Sequence, residues 1–150
     1  MKYIEYRILP KFELIIEFYK GVIKLGDILN LKDDELVNID YSARYNYIAD
    51  FRLADLEIDI NDVNEYVRFA ENNQLVGHKK RVAFLTHTPK QAAFLTLYHH
   101  LSSSLPIETN VFTQLESAID WVQLPISNLE SIDLILKSMK DIKFKYQEPK

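Results

Sequence analysis

Apolar and polar positions alternate along residues 12–19, the second apolar stretch of the chain. One set of alternate positions is apolar: Phe12, Leu14, Ile16 and Phe18. The intervening positions include Glu13, Glu17 and Tyr19. This period of two predicts a strand with one face on the core and the other partly exposed to water. Residues 2–9 predict a strand before it, so the chain is expected to start with a β-hairpin across Pro10-Lys11.

The run from Val82 to Thr86 is apolar without alternation, which is typical of a strand covered on both faces in a parallel sheet. Thr88-Pro89-Lys90-Gln91 follows it and predicts the start of a helix over 89–102. The threonine can cap free backbone N–H groups, proline suits the first helical position, and glutamine can bond back to the cap. Residues 47–51 are predicted to form the neighbouring central strand.

The remaining elements follow from the same signals. Helices are predicted over 24–36, 61–75, 114–121 and 127–139, and a short strand over 107–112. Thr113 and Ser127 each precede a glutamate by three residues, so both are expected to be helix caps like Thr88. Asp33-Asp34-Glu35 in the first helix is interpreted as a solvated stretch. The alternation over 141–147 fits an edge strand and a tail equally well.

These elements predict an α/β protein with a mixed five-stranded sheet, flanking helices and an extra C-terminal helix. Because no linker or repeat interrupts the pattern, residues 1–150 are expected to form a single domain. Its core would span about 2–122 and its C-terminal helical extension about 127–150.

The order β-β-α-β-α-β-α-β-α, with Gly21 after the second strand and Asp50-Phe51-Arg52 ending the third, resembles the bacterial SpoIIAA-like group of the STAS-like fold. The best match is Val111 to Trp121, which is similar to the phenylalanine, capping residue, alanine and tryptophan pattern that closes many such domains. The resemblance implies this fold and a partner-binding role. Anti-sigma antagonists of the group carry a phosphorylated serine after the third strand. Residues 53–62 contain no serine, threonine or glycine, so the resemblance does not extend to that switch.

Composition excludes several classes of protein. The 150 residues include no cysteine, which removes disulfides and thiolate chemistry. With 18 basic and 22 acidic residues and one small basic cluster, His78 to Arg81, the chain lacks the positive footprint of a nucleic-acid-binding protein. No run approaches the roughly 20 apolar residues of a membrane helix, and the charged N-terminus does not fit a signal peptide. A cytoplasmic location and no membrane insertion are therefore expected.

Side chains at the carboxyl ends of the predicted parallel strands, most of them polar, form a candidate ligand or partner rim, because ligands of such sheets bind there. The rim residues are Asp50, Arg52, Thr86, His87, Thr88, Phe112 and Thr113. The alternative is structural: Asp50 and Arg52 would pair with neighbours, and Thr88 and Thr113 would cap helices. The three scattered glycines form no phosphate-binding loop, and adjacent His99 and His100 do not suit a metal site, so neither a cofactor nor a metal is expected.

The predicted helix 89–102 is apolar over more than one face and needs cover on more than one side. Its stripe, the candidate dimer surface, consists of Phe94, Leu97, Tyr98 and Leu101. Either the helix at 127–139 or a second subunit would cover it.

Three functions remain open from the sequence. The favoured one is a non-catalytic protein-interaction or regulatory module, expected to be a homodimer or to bind another protein. The alternative is a carrier of a small apolar ligand or lipid, as in the related SEC14-like arrangement. The least favoured is a small hydrolase that uses Asp50 and His87.

Overall fold

The computed structural model describes residues 2–73 and 78–141, which form five strands and five α-helices. The strands are β1 (Tyr3–Leu9), β2 (Leu14–Ile23), β3 (Asn46–Leu56), β4 (Lys80–Leu85) and β5 (Ile107–Phe112). The helices are α1 (Leu25–Val37), α2 (Ile60–Asn72), α3 (Pro89–Leu101), α4 (Leu115–Trp121) and α5 (Leu129–Lys140). Short 3₁₀ turns at Pro10–Phe12 and Ile126–Asn128 precede β2 and α5.

The sheet is mixed and its strands lie in chain order, β1-β2-β3-β4-β5. β1 and β2 form the predicted antiparallel hairpin, and every later pair is parallel. Tyr47 pairs with Val82 in the register of β3 and β4, which confirms the prediction that these two strands are neighbours. Both β2 and β3 are longer than predicted, because their pairing continues through Gly21 and Ala54 to Ile23 and Leu56. Gly21 therefore lies within β2, at a φ of 88° beside a register shift, rather than after the strand as predicted.

Helices cover both faces of the sheet. Strands that follow one another across a parallel sheet through right-handed crossovers carry the connecting helices on one face. Accordingly, α1, α2 and α3 pack on one side, around Tyr19, Phe51 and Phe84. α4 and α5 pack on the other side, where Ile132, Leu136 and Met139 are fully buried against the sheet.

This layering corrects one alternative for α3. The C-terminal helix does not cover α3, because the sheet separates the two. Instead, α3 packs against α2, β3 and β5 within its own layer. The predicted segment 141–147 lies outside the described residues from position 142 onward.

One of the three predicted capping boxes is confirmed. The Thr88 hydroxyl accepts a hydrogen bond from Gln91 N at 3.2 Å, and the Gln91 side chain accepts one from Thr88 N at 3.1 Å. The predictions for Thr113 and Ser127 are wrong. The residue in the N-cap position of α4 is Gln114, one position after Thr113, and no side chain caps the helix. α5 is entered through the 3₁₀ turn, so Asn128 has helical rather than extended backbone angles, and no side chain caps that helix.

Candidate functional site

An apolar cavity of about 90 Å³ lies between the sheet and the layer formed by α1, α2 and α3. Most of its wall is aromatic or aliphatic, and it includes Phe51, Val63, Phe84, Leu95 and Tyr98. Three buried charged side chains of the inner wall interrupt this apolar surface: Glu17, Lys32 and Lys80. A fourth charged residue of the lining, Asp62, is partly exposed. A mainly apolar cavity with a few convergent polar groups is the usual form of a small-molecule site.

The strand and helix periods bring two of these charges together. Glu17 shares a face of β2 with Tyr19, and that face lies under α1. Lys32 and Glu35 follow Ile28 by four and seven positions, so all three lie on the inner stripe of α1. As a result, Glu17 is 2% exposed, Lys32 is 7% exposed and Glu35 is 0% exposed.

These three residues and two tyrosines form a buried ionic cluster. The Lys32 ammonium donates to Glu17 Oε2 at 2.5 Å and lies 3.5 Å from Glu35 Oε1. The Tyr19 hydroxyl donates to Glu17 Oε1 at 2.9 Å, and the Tyr47 hydroxyl donates to Glu35 Oε1 at 3.1 Å. Lys32 Nζ also lies 4.1 Å from the centroid of the Tyr47 ring, within cation–π range.

The two carboxyl groups of the cluster differ in pKa. Burial acts to raise the pKa of Glu17, but the charge of Lys32 and the surrounding hydrogen bonds outweigh burial and hold that pKa below its ordinary value. Burial, reinforced by the charge of Glu17, raises the pKa of Glu35 well above its ordinary value. When the pKa values of two neighbouring carboxyl groups are shifted in opposite directions, one group is ionised while the other stays protonated. The Lys32 ammonium thus pairs chiefly with Glu17.

Lys80, the first residue of β4, is the third charged side chain of the inner wall. It is 4% exposed, and its ammonium has no hydrogen-bond partner among residues 2–73 and 78–141. Its Nζ lies 5.6 Å from the centroid of the Tyr47 ring, whereas the Nζ of Lys32 lies 4.1 Å from the same centroid. Burial lowers the pKa of Lys80 to about 8.

The predicted rim lies outside the cavity, and two of its charged residues, Asp50 and Arg52, form an ion pair with each other. Asp50 is fully buried and accepts hydrogen bonds from Arg52 N, Nε and Nη2 at 2.9–3.0 Å. Lys140 of α5 approaches Asp50 to 3.9 Å, which places this carboxylate on the side of the sheet opposite the cavity.

The other rim residues do not converge on Asp50 in one contact network. Thr86 N donates to Phe112 O at 2.9 Å, and the Phe112 ring packs against Trp121. Thr88 caps α3, whereas His87 and Thr113 are exposed. A ligand or partner role for the rim stays a prediction.

The candidate dimer surface on α3 is largely used within the chain. Tyr98 is 8% exposed and belongs to the core of its layer. Phe94, Leu97 and Leu101 are half-buried and pack against the same core, and Phe94 also lines the cavity. Self-association through this helix stays a prediction, with Leu97 more exposed than Tyr98.

Sequence reasoning missed the ionic cluster and Lys80. Glu17 was predicted on a partly wet face and Glu35 in a solvated stretch, and both predictions are wrong because α1 covers that face of β2. One signal was present: Lys32 and Glu35 continue the spacing of Ile28 and Leu31 along the inner stripe of α1. Charged residues at those positions indicate buried ion pairing when an acidic residue occupies the facing strand.

An uncharacterized protein of the DUF3478 family from Shewanella loihica PV-4, whose structure has a SpoIIAA-like fold, matches this architecture. The match covers 81% of this chain and 95% of that protein, with a TM-score of 0.54 and 14% sequence identity. The chain has a SpoIIAA-like fold. At 14% sequence identity, the similarity between this chain and the Shewanella protein shows a shared fold and nothing more.

No protein-family model matches the sequence of this chain, and no curated protein matches it either. Within the part of the chain that the structure describes, no helix has both the length and the apolar character needed to cross a membrane. The same residues contain no group of three or more histidine, aspartate or glutamate side chains that could hold a metal ion.

Proposed function

We propose that the SpoIIAA-like domain is a non-catalytic binding module for a small, mainly apolar molecule that occupies the cavity under α1, α2 and α3. The observation that carries this proposal is the combination of an apolar cavity and buried charges in its wall. Protein interiors are close-packed, and burying ionic groups is costly, so a purely structural core would favour neither feature.

The size of the cavity limits the ligand. One water needs about 10–15 Å³ of such space, so the cavity corresponds to roughly six to nine waters. This volume suits a short-chain or single-ring molecule better than a two-chain lipid. Of the two non-enzymatic functions open from the sequence, the geometry therefore favours a small apolar ligand. Support for a hydrolase is weaker, because Arg52 already engages both carboxylate oxygens of Asp50.

The proposal is tested by titrating the methyl-labelled protein with hexan-1-ol and following methyl NMR signals. Binding in the cavity should shift the signals of Val82, Leu95 and Ile107, which line it. Signals of Leu14 and Ile132, in the core on the other side of the sheet, should stay in place.

A matched pair of variants locates the effect. Val82→Phe adds bulk at the cavity wall and should abolish the shifts. Leu129→Phe adds similar bulk at the α5 side and should leave them unchanged. Absence of shifts in the wild type, or equal shifts on both sides of the sheet, would contradict the proposal.

A further inference from the structure

The ammonium of Lys80 is a buried charge in the wall of the cavity. Its side chain is 4% exposed, and its ammonium makes no hydrogen bond to any described residue. A buried ammonium loses its hydration and normally recovers that loss through a counter-charge and hydrogen bonds. The Tyr47 ring face at 5.6 Å offers only partial compensation.

The other charged side chains that line the cavity are already satisfied. Glu17 accepts from Lys32 and Tyr19, and Lys32 in turn lies between Glu17 and Glu35. Asp62, at the far end near the start of α2, accepts from the backbone N–H of Asp59 at 3.0 Å. Among the charged groups that the described residues contribute to this wall, the Lys80 ammonium is therefore the one left for a bound molecule.

We infer that the ligand of this cavity carries an anionic group, a carboxylate or a similar oxyanion, that pairs with the ammonium of Lys80. This inference rests on the proposed function and specifies the chemical class of the ligand. The apolar part of the molecule would lie along Val82, Phe84 and Leu95, and the anionic end would lie at the start of β4. A charge-assisted hydrogen bond in an apolar environment is stronger than one between neutral groups, so the anion would contribute much of the specificity.

Three probes that each contain six carbons in an unbranched chain test the inference: hexanoate, hexan-1-ol and hexylamine, titrated at pH 7 into the folded protein. Hexanoate should bind at least about tenfold more tightly than hexan-1-ol, and hexylamine should bind most weakly. Binding of hexanoate should also raise the pKa of the Lys80 amine from its value of about 8, as read by lysine side-chain NMR. Hexan-1-ol should not raise that pKa.

Lys80→Met keeps most of the length of the side chain, removes the charge and should make hexanoate bind no better than hexan-1-ol. Lys79→Met removes the same charge at an exposed neighbouring position and should keep the full preference. Each variant is judged by the ratio of its affinities for hexanoate and hexan-1-ol. A variant that loses affinity for both probes equally keeps the same ratio, so it cannot be mistaken for one that has lost the preference for the anion.

The outcomes separate this inference from the proposal on which it rests. Equal binding of hexanoate and hexan-1-ol to the wild type would contradict the inference that the ligand is anionic. The proposal of an apolar ligand site would still stand. A preference for hexanoate that persists in Lys80→Met would overturn the role of Lys80. Failure of all three probes to bind would overturn the proposed function and this inference together.

Discussion

The ammonium of Lys32 on α1 and the carboxylate of Glu17 on β2 form an ion pair with a 2.5 Å separation and less than a tenth of either side chain exposed. Removing one partner leaves the other charge buried. Glu17→Gln and Lys32→Met are therefore each expected to lower the free energy of unfolding by about 3–5 kcal/mol. The double variant should lose clearly less than the sum. Urea denaturation of the four proteins measures the coupling, and strictly additive losses would show that the pair is not a unit.

Glu35 is expected to tolerate replacement by glutamine, in contrast to Glu17. Its pKa is raised in the folded state, so the folded chain keeps a proton that the unfolded chain releases. The resulting stability is complete below the ordinary glutamate pKa of 4.5 and is lost as the pH rises toward the raised value. Glu35→Gln imitates the protonated acid and should equal or exceed the wild type in stability at pH 7.5. A loss as large as that of Glu17→Gln would show that Glu35 is ionised in the fold.

Lys80→Met is expected to stabilise the free protein most strongly below pH 8. The pKa of Lys80 is lowered from 10.5 to about 8, so between these values the unfolded chain binds the extra proton and wild-type stability rises with pH. The shift corresponds to about 3 kcal/mol in favour of the variant at pH 7, falling toward zero near pH 10. Denaturation at pH 7 and 9.5 measures the trend, with exposed Lys79→Met as the control. A pH-independent difference would contradict the assignment.

Thr88→Ala is expected to destabilise the protein by about 1 kcal/mol, because it removes the hydroxyl that accepts from Gln91 N. Thr113→Ala provides the comparison. Thr113 is exposed and lies outside the capping position of α4, so its substitution should change stability by less than about 0.5 kcal/mol. Thermal unfolding of both variants decides the matter, and equal losses would mean that the start of α4 is assigned wrongly.

Local sequence signals were sufficient for most of the fold. The apolar run ending at Leu85 and the box that starts at Thr88 identified β4 and α3, because turn chemistry and periodicity act over a few residues. The hairpin and the adjacency of β3 and β4 followed from the order of the elements. The positions of Thr113 and Ser127 show the limit of this reasoning, since the same residue pattern occurs without the backbone geometry that a cap requires.

The candidate site was much less accessible from the sequence, because it depends on which face of one element meets which face of another. Alternation in β2 marks the side of Glu17 as polar, and only the docking of α1 makes that side interior. Likewise, Lys80 belongs to a short basic cluster with the exposed residues His78 and Lys79. Its burial follows from its place as the first residue of an inner strand, which composition does not reveal.

The chain order of the strands has a consequence for biogenesis. Because each strand lies beside the one synthesised before it, a nascent chain can extend its sheet one strand at a time without making room between existing strands. When synthesis reaches the end of β5, α1, α2 and α3 are all available to cover one side, but Leu14, Ile16 and Ile48 on the other side still lack α4 and α5. The segment Leu115 to Lys140 is thus a late cover, and until it leaves the ribosome this face of the sheet has apolar side chains open to water.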